Sequence, residues 1–548
     1  MQVQQQLKIG LIVESELASS FTYELAECGR RRSNLLISHL IIQKTSQAQN
    51  PRNGKARLNH LLARHSFDLL MKAERARLSH AHAYKGHFQQ YDLRRVVPKC
   101  IYVEPEVSAN GYRYSEEDVS LIRALDLDLI ILCGVGLLRG EILKSSKLGI
   151  LAALSTEGGT IQEPSAGFWE VYFQRDATEF TIARLTDESG SDILMRALLP
   201  TKHYFLLNQA SLCRRAAYYF LGLLNEIALT RTLPPAKGND PYPNDPYKIP
   251  TVPGQFVYVS KQVASIGRNL VARFLFRKAD RWGLAFARSD WETLDLSRAT
   301  RIKNPTNHFL ADPFVVTHEG RDFCFTEDYD YEKERGCIAV YELKENTAER
   351  LGEAIVEPFH MSFPYLFRFE GKLYMCPETS ENRDIRVYEC TSFPLQWTLA
   401  KVLMTDIDAV DTMIFEKDGL WWLFTNIDPL KMADFSSELR CFYAESPLTS
   451  DWTPHKKNPI LIDSTKGRNG GLLRHQDSIH RVAQRQGFGR YGKSISINKI
   501  EVLTKEDYVE REVRSVEPNF FANIEGIHHM HSNNCVLVFD CLEITTTS

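Results

Sequence analysis

The sequence predicts two dissimilar domains: an α/β domain built on a Rossmann-like sheet, then an all-β five-bladed β-propeller. Two changes of pattern predict this. Up to residue 231, uninterrupted apolar runs alternate with helical spacing, the grammar of strands covered on both faces. From residue 257 onward, period-two alternation and tight polar turns take over, and one unit recurs at intervals of roughly fifty residues. Between them, residues 232–254 carry seven prolines and two glycines with little hydrophobic patterning, so 232–256 reads as a linker.

In the first domain, residues 7–13 (LKIGLIV) read as the first strand of a parallel sheet. Leu58, Leu61, Leu62, Leu69 and Leu70 recur with helical spacing. A second apolar run, Leu127 and Leu129–Leu132, ends in the turn Gly134-Val135-Gly136. An amphipathic segment up to Lys147 and a strand over Leu148–Leu154 follow. Arg30-Arg31-Arg32 reads as a solvated helix end, and His80 and His82 as a surface pair rather than metal ligands.

The recurrent unit is a strand, a short polar turn and a second, aromatic strand. DPFVVTHEGRDFCFTED begins at Asp312, FPYLFRFEGKLYMCPETS at Phe363 and DTMIFEKDGLWWLFTN at Asp411. Weaker copies begin at Gly470 and His528, making five blades, and residues 281–291 (RWGLAFARSDW) are placed to supply the strand that closes the ring. Innermost strands of a propeller start near the central channel, so the repeat starts converge there. The converging set is Asp312, Ser362 after His360, Asp411, Arg468 and His528. Glu327, Asp328, Glu378, Arg383 and Gln484 join it from the ends of the following strands. Carboxylates, histidines and arginines at one mouth are the composition of a sugar site: paired carboxyls serve as acid and base, and a cation holds a phosphate or carboxylate. Phe363, Tyr365 and Trp421 are candidates to stack on a sugar face.

These motifs resemble known families. FLADPFVV, HMSFPYLF with LYMCPETS, AVDTMIFEKDGLWWLFT and FYAESPL are similar to the domain, related to glycoside hydrolase family 43, of glucosamine inositolphosphorylceramide transferases, over residues 280–545. In the hydrolases an Asp of the first blade is the general base and an Asp of a later blade tunes the acid. The resemblance puts Asp312 and Asp411 in those roles, with Glu378 as a second carboxylate. The hydrolases' general acid, a Glu opening the fourth blade, is replaced here by Arg468-Asn469-Gly470-Gly471. A phosphate leaving group departs as a stable anion and needs no such acid, which favours transfer over hydrolysis. A nucleotide-sugar donor and a divalent metal in the channel are the cofactors the resemblance implies; the sequence assigns no metal-ligand set.

Residues 7–225, most clearly 121–200, resemble the fold of methionyl-tRNA and sugar-amine formyltransferases. That family's Asn, His and Asp fall on Ala152, Leu154 and Ser189, so the resemblance implies a scaffold without formyl transfer and without folate.

Hydrophobic residues are 43% and charged residues 25% of 548, ordinary globular composition. A net charge of −3 offers no field for nucleic acid or an anionic membrane. Eleven cysteines without a CxxC pair predict reduced thiols. With no bilayer-length apolar run and no basic-then-apolar start, a cytoplasmic location is expected. The function expected is a glycosyl-transferring or glycan-modifying enzyme of glycolipid or extracellular polysaccharide biosynthesis, working on a sugar or glycolipid beside other polysaccharide-assembly proteins. The alternatives are a sugar N-formyltransferase using formyl-folate and a non-catalytic carbohydrate-binding scaffold.

Overall fold

The computed structural model describes residues 6–44, 54–78, 86–108, 111–156, 159–186, 190–240, 249–274, 278–293, 295–533 and 536–546; His80, His82 and Ser189 lie outside these. The chain divides into two compact units, Met1–Ser265 and Ile266–Ser548.

The first unit is built on an eight-stranded mixed sheet. Its order is Asn239–Asp240, Ser191–Pro200, Ala177–Leu185, Ile150–Ser155, Leu129–Leu132, Leu7–Val13, Leu35–Gln43 and Cys100–Val103. The five strands from Ile150–Ser155 to Cys100–Val103 are parallel, and the other three continue the sheet antiparallel. Leu129, Ile130, Ile131 and Leu132 are all buried, as a strand covered on both faces requires. Helix Ser20–Arg31, capped by Ser19, meets helix Phe205–Thr230 through the edge-on pair Phe21 and Phe220.

Two helices qualify the expectations from sequence. In Gly54–Leu78, Leu58, Leu61, Leu62 and Leu69 face outward, while Ala63 and Phe67 are buried, so the leucine spacing marks the exposed face. Helix Val252–Phe274 starts inside the stretch read as linker. It is tied to the first unit because buried Glu74 accepts from both the Tyr258 hydroxyl and the Leu206 amide, each at 2.7 Å, and Gln255 donates to the Ala63 carbonyl at 2.7 Å. The first unit therefore continues past the prolines.

The second unit is a five-bladed propeller. The inner strands of blades one to four are His308–His318, Ser362–Phe369, Ala409–Lys417 and Arg468–His475. The fifth blade joins Met530–Asn533 and Val536–Thr546 to Lys278–Ala287 from the start of the unit, and this pairing closes the ring.

Each of the first four inner strands is broken by a bulge at the same point: at Asp312-Pro313, Phe363-Pro364, Asp411-Thr412 and Gly470-Gly471. Asp312, Phe363 and Asp411 adopt left-handed conformations there, with φ of 50°, 45° and 50°. A proline costs no ladder bond at a bulge, which is why DP and FP fit mid-strand. The hydroxyl of Thr326 donates to the Ala311 carbonyl, and that of Thr425 to the Val410 carbonyl at 3.1 Å, so the carbonyl just before the bulge is satisfied in blades one and three. The Glu319-Gly320, Glu370-Gly371 and Asp418-Gly419 turns have two consecutive positive φ angles, the hairpin geometry that suits strand twist. Among the described residues no helix is long and apolar enough to cross a membrane.

Candidate functional site

Because every bulge re-aims the chain at the start of an inner strand, the residues beside it meet at one mouth of the channel. There, Trp282, Phe309, Asp312, Glu327, His360, Ser362, Glu378, Asp411, Arg468, Tyr491 and His528 line a cavity of about 180 Å³.

Asp411 is held from three sides. Arg468 Nε donates to its Oδ2 at 2.6 Å, Gln484 Nε2 donates to the same oxygen at 3.2 Å, and the Asn469 side chain donates to its carbonyl at 2.9 Å. The Arg468 guanidinium lies 5.0 Å from the centre of the Tyr491 ring, and its Nη groups have no hydrogen-bond partner among the described residues.

Asp312 belongs to a second cluster. His528 sits between two carboxylates, with Nε2 3.1 Å from Asp312 Oδ1 and Nδ1 3.1 Å from Asp540 Oδ2. These contacts have the distance of ion pairs but not the alignment of hydrogen bonds, since Asp312 Oδ1 and His528 Nδ1 both lack an aligned partner. Asp540 is fixed independently: its carboxylate accepts the amides of Asp312, His528 and His529 at 3.0–3.2 Å.

The environments push the acids apart. Burial opposes charge on His528, but Asp540 and Asp312 outweigh it and raise the imidazole to about 10. Burial alone would raise Asp312; His528 more than offsets it and holds the carboxyl below its ordinary value. Desolvation, then the charge of Asp411, raises Glu378 to about 8 against the pull of Arg468, and Ser380 donates to it at 2.9 Å. Desolvation, then the charges of Asp312 and Glu378, lift Glu327 well above its ordinary value. His360 accepts the Gly336 amide at Nδ1, 2.9 Å, which leaves the Nε2 proton facing Glu327 Oε1 at 3.6 Å. At neutral pH the mouth therefore offers an anionic Asp312, cationic Arg468 and His528, and a Glu378 carboxyl largely in its protonated form, with Glu327 pushed in the same direction, between aromatic walls.

Asp312, His528 and Asp540 place ligand atoms within 4.8 Å of one another, a set that would hold a divalent cation only if the ion displaced the proton that His528 carries between the two carboxylates. When bound it would supply positive charge beside Asp312.

The remaining candidates fall elsewhere. Asp328 points away from the mouth because it alternates with Glu327 along its strand; it is paired with His308 at 2.6 Å and Arg350 at 2.9 Å. Arg383 lies in an exposed loop, where it holds Asp406 at 2.7 Å. Gln484 supports Asp411 without lining the cavity. Phe363 is buried beneath the mouth, and Tyr365 and Trp421 line a different cavity. Sequence reading missed Trp282, Phe309, Tyr491 and Asp540. Asp540 closes the fifth repeat as read in the sequence and lies midway along Val536–Thr546, and its place in that repeat was its one signal; the aromatic three stand outside the repeat starts.

In the first unit, Ala152 and Leu154 are buried in strand Ile150–Ser155 opposite Ala183 and Thr181. Two amides of the Gly134–Gly136 turn are taken by the chain's own carboxylates. Val135 donates to Glu14 at 3.2 Å and Gly136 to Glu163 at 2.8 Å.

A five-bladed propeller with carboxyls, histidines and one arginine gathered at a mouth is the class of protein that the second unit defines. Residues 293–526 match the family model described as "Glucosamine inositolphosphorylceramide transferase 1, N-terminal". The protein named glucosamine inositolphosphorylceramide transferase 1 from Oryza sativa subsp. japonica is 39% identical over 211 residues, 38% of this chain and 28% of the relative. Its namesake from Arabidopsis thaliana is 39% identical over 214 residues, with the same shares. The chain thus spans about 28% of the length of these curated relatives. Among solved structures, a family 117 glycoside hydrolase from Zobellia galactanivorans aligns with 48% of this chain and 90% of its own, at 13% identity and a TM-score of 0.32. The catalytic domain of a family 62 α-L-arabinofuranosidase from Coprinopsis cinerea aligns with 49% of this chain and 97% of its own, at 13% identity and a TM-score of 0.34.

Proposed function

We propose that the propeller transfers a sugar from a donor with a phosphate leaving group, in glycolipid or extracellular polysaccharide assembly. The relatives' shared name supports a glycolipid acceptor. The observation that carries the reading is Arg468 inside the mouth. It stands where the resembling hydrolases open the fourth blade with their acid, and it is neutralised by Asp411 through Nε with its Nη groups left over. A guanidinium so placed holds a phosphate oxygen and stabilises the departing charge. Arg468 thereby takes the role first assigned to Arg383. Asp312 accepts the proton of the attacking acceptor hydroxyl, while Glu327, Glu378 and the His360 Nε2–H position the ring. A cavity of about 180 Å³ takes one sugar ring, so the rest of a nucleotide-sugar donor lies outside it.

The first unit is read as a formyltransferase-like scaffold that has lost formyl transfer. Apolar Ala152 and Leu154 support this, as does a turn whose Val135 and Gly136 amides are already occupied. A formyl-folate analogue is expected to leave its melting temperature unchanged.

The test is Asp312→Asn, assayed by mass detection of product over a panel of nucleotide sugars with glycolipid and oligosaccharide acceptors. Wild type forms product with at least one donor. The variant keeps its fold and loses on the order of 100-fold or more in turnover, the scale of a general base. Unchanged turnover would refute the assignment. A second reading, a glycan-binding module without chemistry, is favoured by the ion pairing of both Asp312 and Asp411; it predicts saccharide binding at the mouth with no product from any donor.

A further inference from the structure

The five inner strands that open the carboxylate-lined mouth continue to a second chamber at the other end of the channel. It measures about 480 Å³, within the roughly 300–1,000 Å³ typical of ligand pockets. The two are separated by a plug of Phe314, Phe363 and His529, all fully buried, with ring centres 4.5–5.2 Å apart. On their strands these three residues fall between those that line the mouth (Asp312, Ser362, His528) and those that line the far chamber (Val315, Tyr365, His531).

The far chamber has different chemistry. Arg368 and Arg474, near the ends of the second and fourth inner strands, are exposed. Neither has an ion-pair or hydrogen-bond partner among the described residues. Glu416, also exposed, is the single carboxylate in the lining. His531 accepts the Val315 amide at Nδ1, 3.2 Å, which leaves its Nε2–H as a donor. Tyr365 and Trp421 are in the lining but are only 4% and 8% exposed, Trp421 being packed on Phe367 and Phe369. Two unpaired guanidinium groups in the lining of a chamber that also carries apolar side chains match a ligand with an apolar face and an anionic substituent.

We propose that this chamber is a second ligand site, taking a saccharide ring that bears a carboxylate or a phosphate. It goes beyond the transfer reaction assigned to the opposite mouth and does not depend on it. The tests are isothermal titration of the full chain and ¹⁹F NMR after 5-fluorotryptophan labelling, with the Trp421 resonance assigned through Trp421→Phe. The probes are D-glucuronate, glucose 6-phosphate, glucose and inorganic phosphate. One or both acidic sugars shift the Trp421 resonance, and which of them binds identifies the carboxylate or phosphate source. The double variant Arg368→Ala/Arg474→Ala, which removes only exposed unpaired groups, weakens binding about tenfold or more with an unchanged melting temperature. Asp312→Asn leaves binding as in wild type. The proposal is overturned if glucose binds as tightly as the acids, if phosphate alone matches them, or if none shifts Trp421 at millimolar concentration. It is equally overturned if Asp312→Asn abolishes binding while the double arginine variant does not.

Discussion

Arg468 sets the charge logic of the mouth. A guanidinium bonded to Asp411 and stacked on Tyr491 does not serve as an acid, so besides the His528 imidazolium the groups able to give up a proton are the two carboxyls that burial raises. Glu378 is the clearer of them, raised to about 8. The sign is fixed by that direction: the donor form prevails below about 8 and is lost as pH rises through it. Saccharide binding at the mouth is therefore expected to hold at neutral pH and to fall on the alkaline side. Glu378→Gln, which keeps an N–H donor at every pH, should flatten that limb. Titrations of wild type and variant from neutral to alkaline pH check it, and an alkaline limb surviving in the variant would assign the titration to another group. Arg468 also has a stabilising role, because it neutralises a carboxylate that is 2% exposed. Arg468→Leu should lower unfolding free energy by about 3–5 kcal/mol, as for a broken buried pair, measured by denaturant titration.

At the scale of the element, the bulge turns a row of strands into a site, and its cost is borne locally. Thr425 donates to the Val410 carbonyl and lies 2.8 Å from the Thr412 hydroxyl, all of it buried. Thr425→Val keeps the shape but strands these groups, and should cost about 1–3 kcal/mol in a thermal or urea melt. Gly471 is the harder constraint. Its φ is 120°, and a Cβ there would stand 2.2 Å from the Met530 carbonyl oxygen, so alanine must push the fourth blade off the fifth. The same element explains what was legible in sequence. Four of the five repeat starts could be read because the bulge demands DP, FP, DT or GG at one point of the unit. Which of Glu327 and Asp328 faces the mouth could not, because strand parity after a bulge depends on register, and a one-residue slip exchanges the faces. Arg383 follows the second strand of its blade as the others suggested, but a short 3₁₀ turn over Ser380–Asn382 swings it outward to Asp406. Trp282 and Tyr491 come from strands that the repeat pattern does not bring to the channel, and only the closed ring does.

Closure of that ring belongs to the whole molecule. Lys278–Ala287 pairs residue by residue with Leu537–Thr546, so the first strand of the unit and its last lie side by side. The strand Val536–Thr546 also pairs with Met530–Asn533 on its other side, which makes it the middle of the fifth blade. Joining segments so distant in sequence has a high loop-closure entropy, and the interactions that offset it form only when all five blades are in place. Loss of the last strand is therefore not the fraying of a terminus. A chain ending at Cys535 would leave Lys278–Ala287 and Met530–Asn533 without their common partner, expose two rows of unpaired amides, and release Trp282 from the mouth. We expect it to lose the cooperative melting of the propeller and the near-ultraviolet signal of its buried tryptophans, and to be cleaved by protease throughout residues 278–533. The first unit, whose sheet is complete without those residues, should keep its protease resistance in the same digest. A truncated chain that melted like the full one would show that the blades are held by their neighbours alone. In that case the aromatic packing between blades, such as Trp421 against Phe367 and Phe369, and not the closing pair, would be what sets the stability of the ring.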